Sequence, residues 1–173
     1  VDASAEELLV SVTIGGAGGE KFALGGSFSA NVIMNTVTAE VISGSDLEAA
    51  GNIGLTASDT TTAVIVSGGF AGSSKAAVGL SFSQLYIENE MTAAIDGSTV
   101  TSTGGTIDLI AGIAPPATKA ELSDIRLMTY GVDLPDTNSA SVFNLTVAGA
   151  GSGKVAAGIA LSANNINNTI GAE

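Results

Sequence analysis

The chain has 173 residues, of which 45% are hydrophobic but only 4% aromatic, and its formal net charge is −12. Five basic residues in total argue against the lysine and arginine patches that nucleic acids and anionic membranes require. The absence of cysteine excludes disulfides and thiolate metal sites, and the absence of histidine removes the commonest general base and metal ligand.

A stretch that runs from a lysine to an asparagine fourteen residues later occurs three times, at 21–35, 75–89 and 154–168. The first two copies are 54 residues apart, and the third follows the second after 79 residues. Repeats of this kind predict stacked units that bury one another's apolar faces. We therefore expect one repetitive β domain over 1–173. Its parts are a first repeat at about 8–57, a second at about 62–111, an irregular extra coil or insertion at about 112–140, and a partial third repeat at about 141–173.

Bulky and small residues alternate along each copy with a period of two, which is typical of β-strands with two unlike faces. The bulky set in the first repeat is Leu8, Val10, Val12, Ile14, Phe22, Leu24, Phe28, Ala30 and Val32. The opposite face of the second part is small: Ala23, Gly25, Ser27 and Ser29. We expect the bulky face to form the core, with Phe28 and Phe82 stacked in one core column. The small face either packs internally or admits a partner.

Shorter strands are predicted later in each repeat, between clusters of Gly, Asn, Asp and Ser, so that each repeat holds about five short strands. Asn35, Asn89 and Asn168 are predicted at corners, because asparagine tolerates left-handed backbone and its amide can bond the same residue in the next layer. Alternatively, they are ordinary turn residues. Pro115 and Pro116 interrupt the pattern, and 119–128 is either a short helix or an irregular coil.

The pattern predicts an all-β fold, a right-handed parallel β-solenoid (β-helix). Because one coil of such a fold has roughly 20–30 residues, each 54-residue repeat would contain two coils, and the chain about seven. The rod would be on the order of 33 Å long. The alternative is an antiparallel β-sandwich or meander of repeated hairpins, in which the glycine-rich turns join neighbouring strands.

Several features resemble sites of chemistry, and each has a simpler structural interpretation. The segment 149–154 resembles a phosphate-binding loop, but it lacks the first glycine, the Ser or Thr after the lysine, and a following helix. No calcium-binding repeat or loop occurs. The alternating threonines at 99, 101 and 103 suggest an ice-binding face, but the first repeat has Asp46, Glu48 and Ala50 there.

A glycoside hydrolase needs two carboxylates converging in a cleft at about 5–10 Å. The candidate pairs are Asp46 with Glu48, Glu88 with Glu90, and Asp133 with Asp136. Their spacing gives no sign of convergence. We therefore predict that the protein is not an enzyme and has no catalytic residue, no cofactor-binding residue, no cofactor and no metal ligand.

The run VAGAGSGKVAAGIALSANNINNTI at 147–170, together with TAAIDGSTVT at 92–101, resembles repeats of large bacterial surface proteins. These are the filamentous, leukotoxin-like and autotransporter-type adhesins. The resemblance covers nearly all of the chain except about 113–140. It implies export across a Gram-negative envelope, a secreted or cell-surface location and a β-helical stalk, and it supplies no catalytic residue.

The predicted function is therefore a non-enzymatic structural or adhesive segment of an extracellular surface protein. Its expected partners are host or neighbouring-cell surface molecules, or copies of itself. We expect no nucleic-acid partner and no membrane insertion, because no uninterrupted apolar run reaches about 18 residues. The alternatives are a subunit of a self-assembling homopolymeric filament and a carbohydrate-active β-helix enzyme. The chain stops inside the third repeat, which indicates a piece of a longer repetitive protein.

Overall fold

In the computed structural model, which describes residues 1–114 and 142–173, every regular element is a β-strand. Strands follow in chain order as β1 (Asp2–Gly19), β2 (Phe22–Ile42), β3 (Asp46–Ala49), β4 (Ile53–Ser73), β5 (Ala76–Asp96), β6 (Thr99–Ser102), β7 (Ile107–Ile113), β8 (Val142–Ser152) and β9 (Val155–Ala172). The prediction of an all-β fold is confirmed.

The strands form three parallel sheets. In the first sheet β4 pairs with β1 on one side and, on the other, with β7 along its first part and β8 along its second part. The second sheet has the order β2-β5-β9, and the small third sheet pairs β3 with β6.

β1 and β2 lie in different sheets, as do β4 and β5, so the turns at Lys21 and Lys75 carry the chain across to the facing sheet. A hairpin would instead return it to the neighbouring position of the same sheet. The antiparallel alternative is therefore wrong, because every ladder between the described strands is parallel.

Each ladder joins equivalent residues of successive repeats. Asp2 pairs with Thr56, Phe22 with Ala76, and Ile53 with Ile107, which are steps of one 54-residue repeat. Within the described residues, each of the two large sheets is therefore three strands deep, and neighbouring strands are at least one whole repeat apart in sequence, whereas two coils per repeat would place them half a repeat apart.

The prediction of about five short strands per repeat is wrong for a related reason. The first repeat contains strands of 18 and 21 residues and only one short strand of four. No proline interrupts these alternating runs, so each continues as a single strand. A strand of 21 residues spans about 70 Å, whereas three layers rise only about 14 Å, so the stack is broad and low.

The interior lies between the two large sheets, and its bulkiest part is next to the small third sheet. There a cluster of buried side chains is formed by Val37, Ala39, Val41, Ile53, Leu55, Ala57, Met91 and Ala93. A second cluster further along the strands is formed by Ile33, Ala63, Ile65, Leu85 and Ile87.

Toward the turns at Lys21 and Lys75 the two large sheets approach until backbone meets backbone. A Cβ atom on Gly69 would lie 1.7 Å from the backbone oxygen of Leu80, and one on Gly79 would lie 2.1 Å from that of Gly149. Only glycine fits at such a contact. The interior therefore tapers from large apolar side chains at one end to glycine, alanine and serine at the other.

Because of this taper, the side of the strand that was predicted to face the core is exposed at the narrow end, and the opposite side is buried. Phe28 is 65% exposed and Leu24 is 57% exposed, whereas Ala23 is 4% and Ser29 5% exposed. The small face is thus the interior, and the prediction that the bulky face forms the core is wrong there, because sheets in backbone contact leave no room for large side chains. Phe28 and Phe82 do stack in one column, with ring centroids 5.3 Å apart at 9°, but outside the core.

The predicted irregular coil at 112–140 lies outside the described residues from position 115 onward. The alternative short helix at 119–128 and the pair Asp133 and Asp136 lie there too.

Candidate functional site

Asn35, Asn89 and Asn168 share one column, because Asn35 pairs with Asn89 and Asn89 with Asn168. They lie within β2, β5 and β9 and not at corners, so the corner prediction is wrong. The left-handed backbone positions of the described residues are instead Ser43, Gly44 and Gly97, in the turns that lead to the third sheet. The asparagine side chains of the first two layers point into the interior.

Two of these asparagines belong to a polar cluster between the two apolar clusters, which we call the buried polar cluster. Its residues Asp59, Thr61 and Asn89 are buried, and Glu7 and Asn35 are half-buried at its side. The carboxylate of Asp59 is fully buried and accepts bonds from Asn35 Nδ2 at 3.0 Å, Thr61 Oγ1 at 2.7 Å and Asn89 Nδ2 at 2.9 Å. These donors offset the cost of removing the carboxylate from water.

Glu7 is the second carboxyl group of the buried polar cluster, and Asn35 Nδ2 donates to its Oε2 at 2.6 Å. Burial raises the pKa of Glu7, and the neighbouring Asp59 raises it further through its charge and a hydrogen bond, while the bond from Asn35 opposes the shift. Glu7 therefore holds its proton to a higher pH than an exposed glutamate. The cluster can act as a titrating group inside the fold.

A cavity of about 170 Å³ adjoins the buried polar cluster and is lined in part by Asp59, Thr61, Asn89 and Asn168. Asn89 Oδ1 is buried and has no protein partner. The cavity has the volume of several water molecules, and water satisfies such acceptors in protein interiors. Within 1–114 and 142–173, no group of three His, Cys, Asp or Glu side chains could hold a metal ion.

A large exposed surface lies on the outer side of the second sheet, between the lysine-bearing turns and the column of Val32, Tyr86 and Asn165. We call it the outer apolar face. Its outward residues are Phe22, Leu24, Gly26, Phe28, Ala30 and Val32 in β2, Ala76, Val78, Leu80, Phe82, Gln84 and Tyr86 in β5, and Val155, Ala157, Ile159, Leu161, Ala163 and Asn165 in β9. None carries a formal charge at neutral pH.

No family model, no curated protein and no solved structure matches this chain. The features of this chain that bear on function are therefore its stacked layers, the buried polar cluster and the outer apolar face. A helix long and apolar enough to cross a membrane is not found in the part of the chain that the structure describes.

The two carboxylate pairs within the described residues each lie along a single strand. Asp46 and Glu48 are exposed on β3. Glu88 and Glu90 point outward from β5, and both border a depression of about 210 Å³. The hydrogen bond from Tyr86 Oη to Glu88 Oε2, 2.8 Å long, raises the pKa of Tyr86. Neither pair is divided between opposite walls of a cleft, which is the arrangement a glycoside hydrolase uses.

The glycine-rich segment 149–154 runs from the end of β8 through a turn into β9. Its hydroxyl group at Ser152 accepts a bond from the backbone of Lys154 at 3.3 Å and donates to the carbonyl of Val155. A strand follows this turn, as the sequence predicts, so its hydrogen bonds serve the turn between two strands.

Glu7, Asp59 and Thr61 were not predicted to belong to any cluster. The sequence did carry one signal for Asp59. It lies an even number of residues from Leu55, Ala57 and Ala63, so in a strand its side chain points to the same side as these apolar residues. The alternation could not show which residues contact Asp59. Its partners on β1 and β2 depend on how these strands are placed beside β4 in the folded chain.

Proposed function

We propose that this chain is a non-enzymatic structural segment of an extracellular bacterial surface protein, a β-solenoid stalk or fibre whose layers contain one repeat each. The observation that carries the proposal is the in-register stacking of equivalent residues. Lysine-bearing turns, serines and asparagines continue through all three layers, and phenylalanine continues from the first layer to the second. Such a stack lengthens by adding layers without changing its cross-section, which suits a stalk.

The broad sides of the stack support an adhesive role as well as a structural one. Outside the outer apolar face, outward residues of β2 such as Thr36, Thr38 and Glu40 remain exposed along a strand about 70 Å long. We propose that they meet host or neighbouring-cell surface molecules. The net charge of −12 keeps the chain soluble despite this exposure.

The extracellular location rests on the resemblance to adhesin repeats and is compatible with the absence of cysteine. It is tested by immunogold labelling of intact cells of the source bacterium with antibodies against the purified chain. Label on intact cells supports the proposal. Label that is found only after the cells are opened contradicts the location, while leaving the stacked fold as it is.

A second candidate function is a subunit of a self-assembling filament, and a specific observation favours it. Within the described residues, β1 and β2 of the first layer and β9 of the last each have one edge that pairs with no other strand. Residues at equivalent positions of the first and last layers are similar: Gly25 corresponds to Gly158, and Asn35 to Asn168. Unprotected parallel edges with matching columns are suited to pairing between copies.

Electron microscopy of the purified chain separates the two functions. Short particles that remain separate at all concentrations support the stalk segment. Long filaments with a repeat of about 4.8 Å along their axis support self-assembly. Val155 and Glu173 donate their backbone N–H groups toward β5, so in the unbroken strand the even-numbered residues of β9 point theirs to the open edge. The variant Ala160→Pro would remove one of these edge donors and leave the ladder with β5 intact, so it should stop such filaments from growing.

A further inference from the structure

The outer apolar face is exposed over all three layers of the second sheet. In the first layer Phe22 is 61% and Phe28 65% exposed, and in the last layer Val155 is 63% and Leu161 58% exposed. In the middle layer Leu80 is 39% exposed. Contiguous apolar surface of this kind commonly marks an interaction site.

The other large sheet does not present an equivalent surface. Val10 and Val12 of β1 are 52% and 56% exposed, but their ladder partners Val64 and Val66 in β4 are each only 3% exposed. Ile110 in β7 and Val147 in β8 are also exposed, but the exposed apolar residues of β1 do not continue into the middle strand at Val64 and Val66. The two sides of the stack are therefore not alike, and an occupant has to be sought on the second sheet.

The area of the outer apolar face agrees with what a weak but specific dimer needs. The face is eleven residues long, at about 3.3 Å per residue, and three strands wide, at about 4.8 Å per strand. Its area is therefore about 500 Å² per copy. Two such faces in contact would bury on the order of 1,000 Å² in total, close to the lower limit of specific interfaces.

Charged residues border the face at both ends, with opposite sign. Lys75 immediately precedes the face in the middle layer, and Glu88 and Glu90 follow it on the outer side of β5. Phe82 lies midway, seven residues after Lys75 and seven before position 89. A twofold axis at Phe82 therefore brings Lys75 of one copy opposite the interval between Glu88 and Glu90 of the other.

We propose that the outer apolar face binds the same face of a second copy, about a twofold axis that runs along the stacking direction through the column of Phe28, Phe82 and Leu161. The strands of the two copies are antiparallel across the interface, and the two sheets pack about 10 Å apart. Such an interface is isologous, so each column residue near the axis meets its own counterpart.

This pairing differs from growth at strand edges and does not depend on the proposed stalk or filament. It uses the side of the sheet, whereas the filament uses the edges of the end layers. Because both copies keep the same stacking direction, pairing and lengthening are compatible. Each added layer would extend the interface, so long stacks would associate more tightly than single chains.

The first test compares two glutamate substitutions at equally exposed apolar residues, Phe28→Glu on the face and Leu8→Glu on the other sheet, where the wild-type residues are 65% and 67% exposed. Sedimentation equilibrium of the purified chain measures the dimer dissociation constant, and circular dichroism checks the fold. We expect Phe28→Glu to weaken the dimer at least about tenfold and Leu8→Glu to leave it unchanged.

The second test uses the charges. In the homodimer of Lys75→Glu, the new carboxylate would face Glu90 of the other copy, and in the homodimer of Glu90→Lys, the new ammonium group would face Lys75. Each variant alone should therefore dimerise more weakly than the wild type, because like charges meet at both ends of the interface. A mixture of the two variants restores an opposite pair at both ends. We expect heterodimers in the mixture with close to the wild-type affinity.

A wild-type chain that stays monomeric at submillimolar concentrations overturns the proposal. So does a dimer that Leu8→Glu disrupts and Phe28→Glu does not, or charge variants that fail to recover on mixing. Monomers that bind vesicles of neutral phosphatidylcholine through Phe28 would assign the face to lipid and also overturn it. Wild-type filaments that stay single, with no side-by-side association, would also overturn the pairing and leave the filament function standing.

Discussion

Glycine and serine decide how closely the two large sheets approach at the narrow end of the fold. The hydroxyl groups of Ser27, Ser67 and Ser81 lie 2.9–3.0 Å from one another, so they satisfy one another's hydrogen bonds where water has little access. Beyond them, Gly69 and Gly79 face backbone oxygens of the opposite sheet. Small side chains here are a requirement of packing and not a sign of flexibility.

The closest of these contacts gives a prediction at Gly69. Gly69→Ala would place its Cβ 1.7 Å from the backbone oxygen of Leu80, so the sheets would have to separate. We expect a loss of at least about 1–3 kcal/mol in the free energy of unfolding, measured by urea denaturation. Gly72→Ala is the control in the same strand, because nothing lies within 4 Å of its added Cβ. A loss of equal size in both variants would contradict the close approach.

Glu7 gives a prediction for pH dependence. Its pKa in the folded state is raised above its ordinary value of 4.5. The stability that depends on this group is therefore fully present below about pH 4.5 and is lost as the pH rises through the raised folded pKa. We expect Glu7→Gln to melt at a higher temperature than the wild type at neutral pH, and the difference to shrink as the pH falls toward 4.5.

The matched control for Glu7 is Glu6→Gln, because Glu6 is the neighbouring residue on the exposed side of β1. Both variants remove one negative charge, so both reduce the general repulsion of this acidic chain. Only Glu7→Gln removes a carboxyl group next to Asp59. Identical melting curves for the two variants across the pH range would show that the buried polar cluster does not titrate as described.

Along a single long strand, the bulky residues are exposed in one part and buried in another. In β2 the bulky residues Phe22, Leu24 and Phe28 point outward, and beyond the serines Ile33 and Val37 point inward. The alternation never breaks, so the strand itself is unaffected by the change. What changes along it is the distance to the facing sheet, which is short at the glycines and long enough for isoleucine and leucine further on.

Two leucines in the first sheet test this arrangement of faces. Leu55 in β4 is 0% exposed, and Leu8 in β1 is 67% exposed. We expect Leu55→Ala to lower the free energy of unfolding by about 2–5 kcal/mol, and Leu8→Ala to lower it by less than about 1 kcal/mol. Chemical denaturation of both variants at low protein concentration measures the difference. Equal losses would restore the prediction that the bulky face of β1 is buried.

At the scale of the whole molecule, the described residues form a stack in which equivalent strands of successive repeats lie side by side. Residues that pair in the ladders are a full repeat apart in sequence, as Ser27 and Ser81 are, yet adjacent in space. The contacts that hold layers together are therefore all long-range in sequence. Stability should then grow with the number of layer interfaces, as it does in other repeat proteins.

Duplication of one repeat tests the size of the layer. A second copy of 22–75 inserted after Lys75 adds one full layer to both large sheets, and we expect it to raise the thermal midpoint while the circular dichroism per residue is unchanged. Inserting 22–48 instead adds half a repeat, about one coil of the size predicted from the sequence. That insertion should break the register and lower the midpoint. A stable, cooperatively folded half-repeat insertion would contradict the one-repeat layer.

Much of this architecture was predictable because it depends on local or repeated patterns. Period-two alternation predicted strands, and the equivalence of Phe28 with Phe82 and of Asn35 with Asn89 predicted parallel columns. The site was less predictable. The alternation in the sequence showed to which side Asp59 points. It could not show the contacts of Asp59 with Glu7, Asn35 and Asn89, because these residues lie on three other strands.

By itself the sequence determined that the chain forms stacked β-strands with unlike faces and which residues share a column, because both properties follow from periodicity. Tertiary structure alone decided which face is inside and how many residues make one layer. Alternation is symmetric between the two sides of a strand, so Phe28 and Ser29 are equally suited to either side until the facing sheet is in place. The backbone contacts of Gly69 and Gly79 set that distance, and they leave the phenylalanines outside.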